Sequence, residues 1–214
     1  MRVNAPAAAG EPSATGGQSV ANAARRAQII ESAIECIAEL GYARASFAQI
    51  AQRAGISSTR LISYHFEGKE DLIRAVVHEA LRAAAAYMHP LLQAQTSPSA
   101  MLATYITSNL DFIRTHPAHI RAVLEIAANT RPEPGVSAVE PDSASPVALL
   151  EQLFRQGQEV GEFRAFDPRV MALTLRAAID AAVGELTARP DLDLDAYARE
   201  LVALFDRATR KEPT

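Results

Sequence analysis

Tryptophan is absent from this 214-residue chain, cysteine occurs once and glycine ten times. A lone cysteine excludes a disulfide framework within the chain and predicts a reducing, cytoplasmic setting. Cys36 itself lies in an amphipathic segment and is expected as a small, buried apolar side chain. No uninterrupted apolar run is long enough to span a bilayer, and the first residues lack the continuous apolar core of a signal peptide, so no membrane partner is expected. No stretch alternates apolar and polar residues as a strand does, and no internal repeat is present. That leaves an all-α fold. Phosphate-binding glycine loops, a Ser nucleophile elbow and a Cys–His arrangement are missing, so neither an enzyme nor a cofactor is expected. The five histidines, His65, His78, His89, His116 and His119, show no metal-ligand spacing. A net charge of −4 excludes a general nucleic-acid coat and confines any DNA contact to a local patch.

One further absence is local. From Tyr42 to Phe66 there is no acidic residue, while Arg44, Arg53 and Arg60 are basic. An acid here would face phosphates, so the gap matters more than the net charge. The same stretch reads as two short helices joined by a tight Ala54-Gly55 turn, a helix-turn-helix. Ser46 and Gln49 have capping-box spacing, Gly55 suits a left-handed helix end, and Ser57 is a good N-cap for the second helix. Phe47, Ile50, Ile56, Leu61 and Phe66 are spaced to share one small core. An ordinary helical hairpin with a polar face would carry many of the same residues.

The run Gly41-Tyr42, Ser46, Ile50-Ala51, Ala54-Gly55-Ile56-Ser57, Tyr64, His65-Phe66 and Lys69 with Leu72 resembles the DNA-binding domain of the tetracycline-repressor (TetR) family. One departure stands out: the span from Ala54 to Lys69 is one residue longer than the family pattern, and the extra residue falls among Ser58–Leu61. With Leu61 and Phe66 taken as core-facing, a 3.6 period turns Thr59, Arg60 and Ser63 outward, with Ser58 just before them. Arg60 is the side chain there able to form a bidentate contact with guanine, though a phosphate contact suits it equally. Ile62 is placed at the edge of this face, either against a thymine methyl or partly buried. The resemblance implies that Tyr64 and His65 hold the phosphate backbone or brace the domain, and that Lys69 binds a phosphate. Backbone N–H groups near Ser46 offer another phosphate site. Arg25 and Arg26 close the N-terminal arm and are positioned to reach an adjacent groove.

Along the chain, residues 1–22 read as a flexible arm, 23–67 as the helix-turn-helix domain and 68–210 as a helical ligand-binding and dimerisation domain. Helix 1 is predicted from Ala23 to Gly41, and a long helix from Lys69 to about Met88, ended by Pro90. Further helices are predicted near 99–115, 117–130, 145–160, 168–188 and 194–209, with Arg131–Pro146 as a mobile loop. The 168–188 segment is apolar around most of its circumference and so wants burial on nearly all sides. Paired with the last helix, it predicts a homodimer seam through Leu175, Ile179, Val183, Leu201 and Phe205. A deeply central monomer helix is the alternative. Leu102, Tyr105, Asn109 and Phe112, with His116 one turn on, form an aromatic stripe with one amide, the make-up of a small-molecule effector pocket. An Asn bonded to nearby backbone explains Asn109 as well. Arg121 and Glu125, four apart, are expected as a solvated pair. The whole predicts a dimeric transcriptional regulator, a repressor released from a palindromic DNA operator by a small molecule. A helical scaffold protein without specific DNA binding is the alternative.

Overall fold

The computed structural model describes residues 15–130 and 145–211. They form α1 (Thr15–Leu40), α2 (Phe47–Arg53), α3 (Arg60–His65), α4 (Lys69–Gln93), α5 (Pro98–Thr115), α6 (Pro117–Asn129), α7 (Pro146–Glu159), α8 (Pro168–Ala188) and α9 (Leu194–Thr209). Among these residues the remaining pairing is an isolated antiparallel bridge between Phe163 and Arg210. The chain is all-α, as its periodicity requires.

Helix ends follow local chemistry. Ser97, Ser145, Asp167 and Asp193 each accept a hydrogen bond from a backbone N–H in the first turn they precede. Pro98, Pro117, Pro146 and Pro168 occupy the first helical position, where the missing N–H costs nothing. Two boundaries differ from expectation. α1 begins at Thr15, not Ala23. Residues 15–22 are therefore helical, and the rest of the expected arm lies outside the described residues. α4 runs through Pro90 to Gln93, since Pro90 forfeits one helical hydrogen bond only a turn from the end. Most of the expected Arg131–Pro146 loop also lies outside the described residues.

Two cores form. Ile29, Ile34, Ile37, Ile50, Ile62, Phe66, Leu72 and Val76 build the N-terminal one, and Cys36 is buried there as expected. The other is built by α5, α7, α8 and α9 around Ile106, Leu110, Phe154, Leu175 and Ile179. α6 belongs to both. Its Ala122 and Ile126 are buried in the N-terminal core, while Ile120 and Leu124 pack on the C-terminal one.

The residues expected at the dimer seam lie inside the monomer. Leu175, Ile179, Val183, Leu201 and Phe205 are all buried inside the subunit's own core, leaving nothing for a partner to cover. The apolar groups that α8 and α9 present outward are Val170, Leu173 and Leu204, 60%, 48% and 57% exposed, with Ala177, Ala181 and Gly184 continuing the strip. The two faces lie on opposite sides of α8, and the most apolar one fills the monomer first.

Candidate nucleic-acid interface

The helix-turn-helix is assembled by its caps and its glycine. Ser46 Oγ accepts from Gln49 N at 3.3 Å and starts α2. Gly55 sits at φ +63°, a left-handed turn in which a side chain is strained. Ser57 does not cap α3; Ser58 Oγ accepts from Arg60 N at 3.2 Å instead.

Inside α3 the core-facing pair is Ile62 and Phe66, four residues apart and both buried, while Leu61 is only half-buried. Ile62 is thus withdrawn from any base contact, and the recognition face turns by one position from the expected one. With Ile62 inward, the helical period points Arg60 and Tyr64 directly outward and Ser63 beside them. Ser58, Thr59, Arg60 and Ser63 are exposed, and Tyr64 is 70% exposed. A large aromatic ring standing in water beside a guanidinium, on a face without acids, is apt for a phosphate-lined groove.

The other expected contacts are distributed around this face. Lys69 Nζ donates to Tyr42 O at 2.9 Å and lies 4.4 Å from the centre of the Tyr42 ring. The ammonium therefore ties the start of α4 to the α1–α2 loop. His65 is half-buried, edge-on to Tyr64 with ring centres 5.1 Å apart, and its buried Nε2 has no hydrogen-bond partner among the described residues. Arg53 does not contribute to the positive face, because Glu35 and Glu39 of α1 hold it. Arg25 and Arg26 belong to α1. Arg25 donates to Gln28 at 2.7 Å, and the Arg26 guanidinium covers the Phe66 ring at 4.9 Å.

The domain is joined to the helices behind it through α6. Glu125 does not pair with Arg121; its Oε2 accepts from Tyr42 N at 3.3 Å. Gly41, at φ +82°, makes that approach feasible, since a Cβ there would lie 3.3 Å from the same carboxylate oxygen. His119 Nε2 faces Glu31 of α1 at 3.8 Å. No periodicity argument reaches these contacts, which join residues far apart in the chain.

The aromatic stripe of α5 is packed. Leu102, Tyr105, Asn109 and Phe112 are buried. Asn109 donates to Tyr105 O at 2.8 Å and accepts from Arg176 at 3.0 Å, and Arg176 also reaches the Tyr105 hydroxyl at 3.4 Å. Burial, partly offset by Arg176, raises the Tyr105 phenol above its ordinary range, so the phenol stays neutral. His116 stacks on Phe112 with ring centres 4.3 Å apart. These five side chains fill space between α5 and its neighbours. They line neither of the two cavities bordered by α6 and α8.

The fold and this face define a helix-turn-helix protein carrying a larger helical domain. The sequence profile of the bacterial regulatory proteins of the tetR family matches residues 29–76. The transcriptional regulator BetI of Escherichia coli is 31% identical over 187 residues, 86% of this chain and 90% of that one. BetI of Cronobacter sakazakii is 34% identical over 120 residues, and that match spans only 58% of the relative. Among solved structures, AibR in complex with isovaleryl coenzyme A and operator DNA superposes with a TM-score of 0.71 at 21% identity, covering 84% of this chain and 97% of that one. The chain belongs to the TetR family of bacterial transcriptional regulators, a family that binds DNA. Among its described residues no helix is long and apolar enough to cross a membrane.

Proposed function

We propose that this protein binds a palindromic operator as a homodimer and represses transcription until a small molecule releases it. The observation that carries the reading is the outward face of α3, where Arg60, Ser63 and Tyr64 stand free of acids on a helix anchored by Ile62 and Phe66. Two such helices, one from each subunit, would read two half-sites about one helical turn (~34 Å) apart. The strip of Val170, Leu173, Ala177, Ala181 and Leu204 supports pairing, since small and apolar side chains let two helices approach closely. Ligand response is supported by α6, which shares both cores and touches the α1–α2 loop through Glu125.

Binding to the DNA immediately upstream of its own gene tests the proposal. Arg60→Ala is expected to weaken specific binding by ~1–3 kcal/mol and relax preference at one base pair. Lys69→Ala is expected to weaken specific and random DNA alike, and to make the dependence on salt shallower by about one ion. Two variants that both bind as the wild type does place the interface elsewhere on the molecule.

A further inference from the structure

A cleft of about 490 Å³ opens where the α5–α6 junction meets the α8–α9 junction. Arg114, Pro117 and Arg121 border it on one side, and Leu186, Leu192 and Asp195 on the other. It continues inward as a small pit of about 10 Å³ that shares Pro117, Arg121 and Leu186 and is otherwise walled mainly by Ile113, Ile120 and Val183. The opening is thus polar at its lip and apolar at depth, the division a pocket for an amphipathic molecule has.

The charges at the lip are not equally available. Arg114 is paired with Asp111. Asp193 caps α9, accepting from Ala196 N at 2.9 Å, and Asp195 lies in the first turn of the same helix, where the backbone dipole favours an acid. Arg121 has no carboxylate partner among the described residues, because Glu125, its neighbour one turn along α6, is turned to Tyr42. A guanidinium free to form two parallel hydrogen bonds therefore stands over an apolar floor. The acids on the opposite lip disfavour a second negative charge on whatever binds.

We propose that this cleft is a ligand site for an amphipathic monoanion. Its carboxylate meets Arg121, and its apolar chain lies over Leu186 and Leu192 toward the pit. The site is separate from the packed stripe of Tyr105, Asn109 and Phe112, and it lies away from the outward strip of α8. Its regulatory meaning rests on the repressor reading above. Pro117, Ile120 and Arg121 meet the ligand on the same helix whose Ala122, Glu125 and Ile126 hold the DNA-binding domain. A ligand that moves α6 would change how that domain is held, provided it binds the two positions of α6 unequally.

Calorimetric titration of the full chain with octanoate, octylammonium and octanol tests the site. Octanoate is expected to bind about tenfold or more tightly than either comparator, and Arg121→Gln to remove that advantage while Arg121→Lys keeps part of it. Arg121 is exposed, so the fold survives these changes. Leu186→Glu, at the apolar wall, is expected to abolish octanoate binding. Equal binding of the three probes, or octanoate binding unchanged by Arg121→Gln, overturns the proposal. The DNA arm is scored separately. Octanoate bound through Arg121 with upstream DNA held equally tightly in its presence overturns the regulatory role of the cleft and leaves its chemistry. Failure to bind upstream DNA under any condition overturns the repressor reading, while the titrations still decide the cleft.

Discussion

Cys36 shows what burial does to one reactive atom. It sits between Ile34 and Ile37 on the inner side of α1, and desolvation pushes its thiol above the usual range despite the nearby Arg53. The folded thiol therefore stays protonated where an unfolded one ionises. The stability this contributes is fully present below the unfolded pKa and is lost as pH rises through the folded one. Alkylation by iodoacetamide should accordingly be far slower in the folded protein than in denaturant at the same pH. A folded-protein rate equal to the rate in denaturant at the same pH would mean the thiol is open to solvent. His65 is the opposite case, its Nε2 buried and without a partner among the described residues. Its residue type was legible in the sequence; its lack of a partner was not, because a hydrogen bond depends on atoms brought in from elsewhere.

At the scale of elements, helix caps were the most legible feature and helix faces the least. Ser46 and Gly55 do in the structure what their spacing indicates. The face of α3 came out one position round, because Leu61 and Ile62 are adjacent apolar residues and a six-residue helix is too short for periodicity to choose between them. The end of α7 offers a sharp test of packing. Gly157 is buried against Phe163, and a Cβ there would overlap the ring outright. Gly157→Ala is expected to cost ~1–3 kcal/mol of stability by overpacking, read as a lowered urea midpoint with an unchanged slope. Gly161→Ala tests a different cause nearby. Its surroundings are open, and only its φ of +78° resists a side chain. The smaller of the two losses should be at Gly161, about 1 kcal/mol. Equal losses would mean that the Phe163 ring moves aside for the added methyl.

The whole molecule turns on which face of α8 meets what. Ile179→Arg is expected to unfold the subunit, because it drives a charge into a fully buried site with no partner. Ala181→Arg, two residues on and exposed, should leave a folded monomer that has lost tight operator binding. Light scattering and circular dichroism on the two variants separate these outcomes. A folded dimer carrying Arg at position 181 would move the seam off this strip. The same contrast explains why the sequence put the seam on residues that the monomer buries. A helix apolar all round announces that two surfaces will be covered, but its largest side chains go to whichever surface is closer to a ready-made core. Here that is α5, α7 and α9 of the same chain.

By itself, the sequence determined the all-α class, the caps at Ser46 and Gly55 and the helix-turn-helix segment. Those follow from periodicity, from caps one turn away and from an absence of acids, all of which act within a few residues. Tertiary structure alone decided that α6 serves two cores, that Glu125 reaches Tyr42 and not Arg121, that Arg176 satisfies Asn109, and that the cleft opens beside Arg121 rather than along the α5 stripe. Each of these joins groups dozens of residues apart. Which partner a long side chain takes is settled only when the packed helices have fixed the distances.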